Sequence, residues 1–121
     1  MPRFLISFND GDMDFPEADL PEVGRAAHAV MRDAMAAGAW IVGGGFLGYT
    51  AHVVTADGSV RPGPLRESPV HLGGFTVLEV DSEDAAYAWA ARFADACRCP
   101  QEVRAIMPDP EQESLQAGAH T

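Results

Sequence analysis

Apolar and polar positions alternate over residues 3–8. Phe4, Ile6 and Phe8 fall on one side and Leu5 and Ser7 on the other, the two-residue period of a first strand. The next stretch, residues 9–19, is polar and acidic and is punctuated by Gly11 and Pro16, which predicts a loop. From there Val23, Ala27, Val30, Met31, Ala34 and Met35 recur at helical spacing. Pro21 suits the first turn of that helix, Asp19 is placed to cap it, and Gly38 to stop it. Residues 40–46 read as a second strand that runs into Gly43-Gly44-Gly45, a place for a bulge or for close approach to a bound molecule. No helix and no Lys-Ser/Thr pair follow these glycines, so they do not form a phosphate loop. Residues 51–55 give a third strand, Ala56-Asp57-Gly58-Ser59 a hairpin turn, and Val60 the start of the return.

The stretch 61–81 organises the rest of the chain. A Pro62-Gly63-Pro64 turn and a charged Arg66-Glu67 pair lead into Gly73-Gly74 and then a strand over residues 75–80. Phe75, Val77 and the stem of Glu79 share one face of it, and Thr76, Leu78 and Val80 the other. Bulky residues on both faces predict a central strand, covered on at least one side. The Gly pair ahead of it permits an approach that a Cβ would block. Ser82 or Asp81 caps a second helix with Glu83 and Asp84 in its first turn, and Ala86, Trp89, Ala90 and Phe93 form its buried stripe. Residues 102–107 read as a last strand ended by Pro108 and Pro110. The order predicts one α+β domain over 1–108, a split β-α-β unit with two helices on one face of an antiparallel sheet, and an acidic flexible tail over 109–121 that carries His120. So short a chain has no third layer for the other sheet face, and a sheet-to-sheet homodimer would cover it.

Composition narrows the function. Eighteen acids against eight Lys and Arg give a net charge of −10, which argues against nucleic acid or an anionic membrane as partner. No apolar run approaches the roughly 20 residues of a membrane span. The first residues lack the pattern of a signal peptide, and Cys97 and Cys99 are too close for an ordinary bridge and too few for a zinc site. These features predict a cytoplasmic protein with reduced thiols and neither metal nor cofactor. Arg98 between the thiols also opens the reading that a cysteine of lowered pKa acts as a nucleophile, although core or loop thiols are the commoner case.

Several segments, in order, resemble the YCII-related, or DGPF-domain, family. They are the Gly-rich WIVGGGFL (40–47), PGPLRES (62–68), HLGGFTVLEVDSEDAAYAWAARF (71–93) and EVRAIMP (102–108). Pro62 stands where the signature has Asp, and Leu65 where it has Phe, so the signature is degraded. The resemblance implies a ferredoxin-like domain that forms a dimeric α+β barrel. Some relatives are small-molecule enzymes with a proposed His–Asp pair, and most have no established activity. His28 falls where many members carry a histidine on the first helix, and Asp95 resembles the proposed Asp of some relatives.

At about 100° per residue, His28 lies at the edge of the first helix's apolar stripe beside Met31 and Met35, the boundary position a general acid/base needs. The plain alternative is a boundary histidine with a satisfied hydrogen bond. Asp10 or Asp95 is the candidate carboxylate beside it, while His52 and His71 are weaker candidates, His71 sharing a rim with Arg66. A small apolar cleft is expected between helix and sheet, lined by Phe8, Gly44, Gly45, Phe46 and Phe75, with Arg66 placed to pair with a ligand's carboxylate or phenolate. Two readings follow. One is a cofactor-independent enzyme that uses His28 for elimination or isomerisation of an acidic cyclic substrate; the other is a non-catalytic dimeric ligand-binding or regulatory module.

Overall fold

The computed structural model describes residues 1–119, so His120 lies outside the described residues. In chain order the elements are β1 (Arg3–Asn9), α1 (Leu20–Ala36), β2 (Trp40–Gly45), β3 (Ala51–Val54), β4 (Val60–Gly63), β5 (Leu72–Glu79), α2 (Glu83–Cys97), β6 (Glu102–Ala105) and α3 (Pro110–Ala119). Four strands make the main sheet in the order β2-β5-β1-β6, with every neighbouring pair antiparallel. β5 is therefore central, as its two bulky faces require. β3 and β4 form a separate hairpin.

Alternation decides which side of the sheet is buried. Phe4 and Ile6 of β1 stand opposite Leu78 and Thr76 of β5, and these positions face the helices. Val30 and Ala34 of α1 and Ala86, Ala90, Phe93 and Ala96 of α2 close the same core over Phe4, Ile6, Leu78 and Val80. Leu78 and Ile6 are 0% and 1% exposed, and burial of each is worth about 1.5–3 kcal/mol. Trp40, at the start of β2, tilts against Phe93 with ring centroids 6.4 Å apart. Leu5, Phe75 and Val77 lie on the opposite sheet face and are only partly buried.

The helix ends follow two different rules. Ser82 caps α2 by accepting from the Ala85 N–H at 3.1 Å. Asp19 does not cap α1; its carboxylate accepts from Arg98 at 2.8 Å instead, so an ion pair to the end of α2 replaces the expected cap. Gly38, at φ +74°, turns the chain out of α1 while Ala39 N–H reaches back to Ala34 O at 2.9 Å.

Several boundaries differ from the sequence reading, among them the last strand, which ends at Ala105 rather than at residue 107. β5 begins at Leu72 and takes in both glycines, because ladder pairing to β1 and β2 outweighs their weak strand propensity. β4 runs on through Pro62 and Gly63; a two-stranded hairpin tolerates proline because it has no further strand to pair. The segment read as a tail contains a helix, α3, whose residues are all exposed. It has no apolar stripe to reveal it by periodicity. Among the described residues no helix is long and apolar enough to cross a membrane.

Candidate functional site

A cavity of about 270 Å³ opens between α1, the end of α2 and the sheet. Ile6, Phe8, Met31, Trp40 and Phe93 give it apolar walls, together with Ala27, the glycines 43–45 and the β5 segment at Phe75. His28, Thr76, Cys97 and Gln101 supply its polar groups. The local sequence makes this space. β2 lacks side chains at three successive positions, so backbone forms part of the wall. Gly74, opposite Phe8, lets the Phe8 ring lie directly on β5: a Cβ at Gly74 would meet ring atoms at 2.7 and 2.8 Å. The close approach expected at the Gly pair is thus made by the chain's own aromatic ring.

His28 reaches the cavity from α1 but is itself exposed, so it stands at the mouth rather than the floor. Its side chain makes no hydrogen bond or ion pair with another described residue. Neither candidate carboxylate is beside it. Asp10 is clasped to the start of β5: Asp10 N–H donates to His71 O at 2.8 Å, and Asp10 Oδ1 accepts from His71 N–H at 3.2 Å. Its Oδ2 lies 3.8 Å from His71 Nδ1. Asp95 lines a separate groove between α1 and α2, with Arg92 and Arg98. Among the described residues no acidic one lines the His28 cavity.

Of the expected ligand contacts, Phe8, Gly44, Gly45 and Phe75 are brought together with His28. Phe46 is not on this wall; it stacks on Phe75 with centroids 5.6 Å apart and lines a second cavity instead. Arg66 sits on the exposed loop between β4 and β5 and lines neither cavity. His52 is exposed on β3. Sequence reasoning missed Trp40, Met31, Thr76 and Gln101 as lining residues. Met31, one turn from His28, carried a usable signal; Gln101, beyond the second helix, carried none.

The cysteines do not behave as activated nucleophiles. Burial pushes the Cys97 thiol up, and burial together with the nearby Cys97 and Asp12 pushes Cys99 up to about 11. Arg98, expected to lower a thiol pKa, is engaged elsewhere: it lies 2.8 Å from Asp19 and 3.9 Å from Glu22, over the Phe15 ring. Both thiols are free. Among the described residues no group of three or more His, Cys, Asp or Glu is suited to hold a metal ion. Neither a scan against protein-family models nor a search of curated proteins finds a match to this chain.

Proposed function

We propose that this chain is a YCII-related small-molecule-binding protein that holds a single-ring, weakly acidic compound in the cavity beneath α1. The observation that carries the reading is the cavity itself: aromatic walls, one imidazole at the mouth and no acidic lining residue. Its volume of about 270 Å³ lies at the small end for ligand sites, which suits one ring rather than several. Among the described residues that line the cavity, His28 alone has a side chain that can carry positive charge, and it would hold an anionic group at the mouth. The absence of a carboxylate beside His28 favours binding over catalysis. Proton transfer by His28 in an elimination or isomerisation remains the alternative use of the same cavity, and it would require a partner that Asp10 and Asp95 do not supply in this arrangement.

The same reading takes the fold as ferredoxin-like and the protein as a cytoplasmic homodimer forming an α+β barrel. The strand order, the two helices on one sheet face and the residues 40–47, 62–68, 71–93 and 102–108 support it. So does the open sheet face, where Leu5, Phe75 and Val77 are partly buried and Val42 is 49% exposed. A symmetric partner would cover that face.

Titration with benzoate, followed by Trp fluorescence, tests the site. Benzoate should bind the wild type, and His28→Gln should weaken it about fivefold or more, the value of one charge-assisted contact at a half-wet mouth. Equal affinity in the two proteins would remove His28 from the site. Light scattering tests the assembly: a dimer for the wild type and a shift toward monomer in Val77→Glu support it, whereas a wild-type monomer contradicts it.

A further inference from the structure

A second cavity, of about 260 Å³, lies where the β3–β4 hairpin meets the start of β5. Phe46, Tyr49, Val70 and Leu72 make its apolar wall, and His71 and Ser68 bring polar groups to it. It shares no lining residue with the His28 cavity. The Phe46–Phe75 stack connects the two, since Phe46 lines one and Phe75 the other.

His71 differs from His28 in having a carboxylate beside it. One backbone–backbone hydrogen bond and one from the His71 N–H to the Asp10 carboxylate fix Asp10 against His71, and the Asp10 side chain is only 25% exposed. The short turn at Asp10–Asp12 and the chain entering β5 are therefore one clasp. At 3.8 Å from Nδ1, the Asp10 carboxylate favours the imidazole tautomer with its proton on Nδ1. Nε2 is then a hydrogen-bond acceptor. Tyr49, which also lines the cavity, holds a left-handed backbone at φ 53°, one of two such non-glycine residues among those described. Strained positions of this kind persist where the surrounding structure fixes them, and they concentrate around ligand sites.

We propose that this hairpin cavity is a second small-molecule site, for a neutral ring that bears a hydroxyl donor, a phenol or enol, whose O–H is accepted by His71 Nε2. Charge selects this class. Among the described residues no Lys or Arg lines the cavity, and the Asp10 carboxylate lies 3.8 Å from His71 Nδ1. An anionic ligand would be repelled, and an apolar ring without a hydroxyl would leave the imidazole acceptor unpaired. The site is separate from the benzoate site proposed above, so either can fail without the other.

The test is a pair of ring probes that differ only in the hydroxyl, 4-fluorophenol and 4-fluorotoluene, titrated against the full chain by fluorine NMR. The phenol is expected to bind in about the millimolar range, as a fragment of this size does, and the toluene about tenfold more weakly. Intermolecular NOEs should connect the phenol to Tyr49 and Leu72. His71→Phe, which keeps an aromatic ring and removes the acceptor, should cost about tenfold in the binding read through the NOEs to Tyr49 and Leu72. Equal binding of the two probes to the wild type overturns the proposal, as do NOEs confined to Met31 and Trp40. An unaltered affinity in a folded His71→Phe, or no binding of the phenol at about 10 mM, also overturns it. The wild-type probe comparison, read through the NOEs to Tyr49 and Leu72, decides the matter even if His71→Phe does not fold.

Discussion

The two ends of β5 follow different rules. At its C-terminal end, Leu78 and Val80 are sealed beneath two helices, and Thr76 marks the edge of that core. At its N-terminal end, Leu72 is 50% exposed, and the neighbouring hairpin has no buried residue in either strand. Apolar burial holds the first region. Turn chemistry and a few polar contacts hold the second: Thr55 Oγ1 donates to Asp57 at 2.5 Å, Ser59 N–H donates to the same carboxylate at 2.9 Å, and Asp10 clasps His71. Each region has a cavity that a histidine lines. In the first the histidine is carried by a rigid helix and lacks a carboxylate; in the second it is carried by a loop and has one.

If this contrast is right, truncation in the two regions should differ most. Leu78→Ala or Ile6→Ala should cost about 2–5 kcal/mol in denaturant unfolding, through lost transfer energy and the cavity left behind. Val60→Ala, at a position 63% exposed, should cost no more than about 0.5 kcal/mol. Comparable losses would break the distinction.

Glycine substitutions sharpen it further. A methyl at Gly74 runs into the Phe8 ring, whereas one at Gly44 meets nothing within 4 Å. Gly74→Ala should therefore destabilise by about 1–3 kcal/mol and displace Phe8 from the cavity wall, while Gly44→Ala is close to neutral. Stability together with Phe8 chemical shifts would distinguish the two.

The helix starts give a smaller effect. Ser82→Ala should cost about 1 kcal/mol through the lost cap. Asp19→Ala loses only a partly exposed ion pair to Arg98, worth about 0–1 kcal/mol.

The pH responses are smaller again and opposite in sign. Hydrogen bonds from Thr55 and Ser59 lower Asp57 from 3.8 to about 2. Its contribution is therefore present above the unfolded value and is lost as pH falls through the folded one. The Ser59 amide shift should move near pH 2 rather than near pH 4, with little change in global stability. Cys99 is raised from 9.0 to about 11, so its contribution is complete below the unfolded value and is lost as pH rises toward the folded one. Thiolate absorbance should appear late in the folded protein, and unfolding should become easier between these two values.

What the sequence made legible follows the same division. The period-2 run in β1, the helical stripes of α1 and α2, and the two-faced β5 each reported burial, and burial is what those elements have. The pocket members Phe8 and His28 were accessible because each lies on a regular element whose face can be counted, and Gly44 and Gly45 because a glycine run in a strand marks a close approach; Phe75 counts to the opposite face of β5. Asp10 was not assignable to a partner, because its contact to His71 spans 61 residues and depends on how two loops meet. Phe46 lies just beyond β2, where alternation no longer fixes the side chain's direction, and Arg66 lies on a loop with no period to count. Helix α3 escaped for the opposite reason: it buries nothing, so no apolar stripe marks it.

The central claim is that the cavity beneath α1 holds a single-ring acid with His28 at its mouth. Intermolecular NOEs from bound benzoate test it most directly. The account predicts contacts to the Met31 methyl, the Trp40 indole and the Phe8 ring, weakened in His28→Gln. Contacts to Tyr49 and Leu72 instead, or none at saturating benzoate, would contradict it.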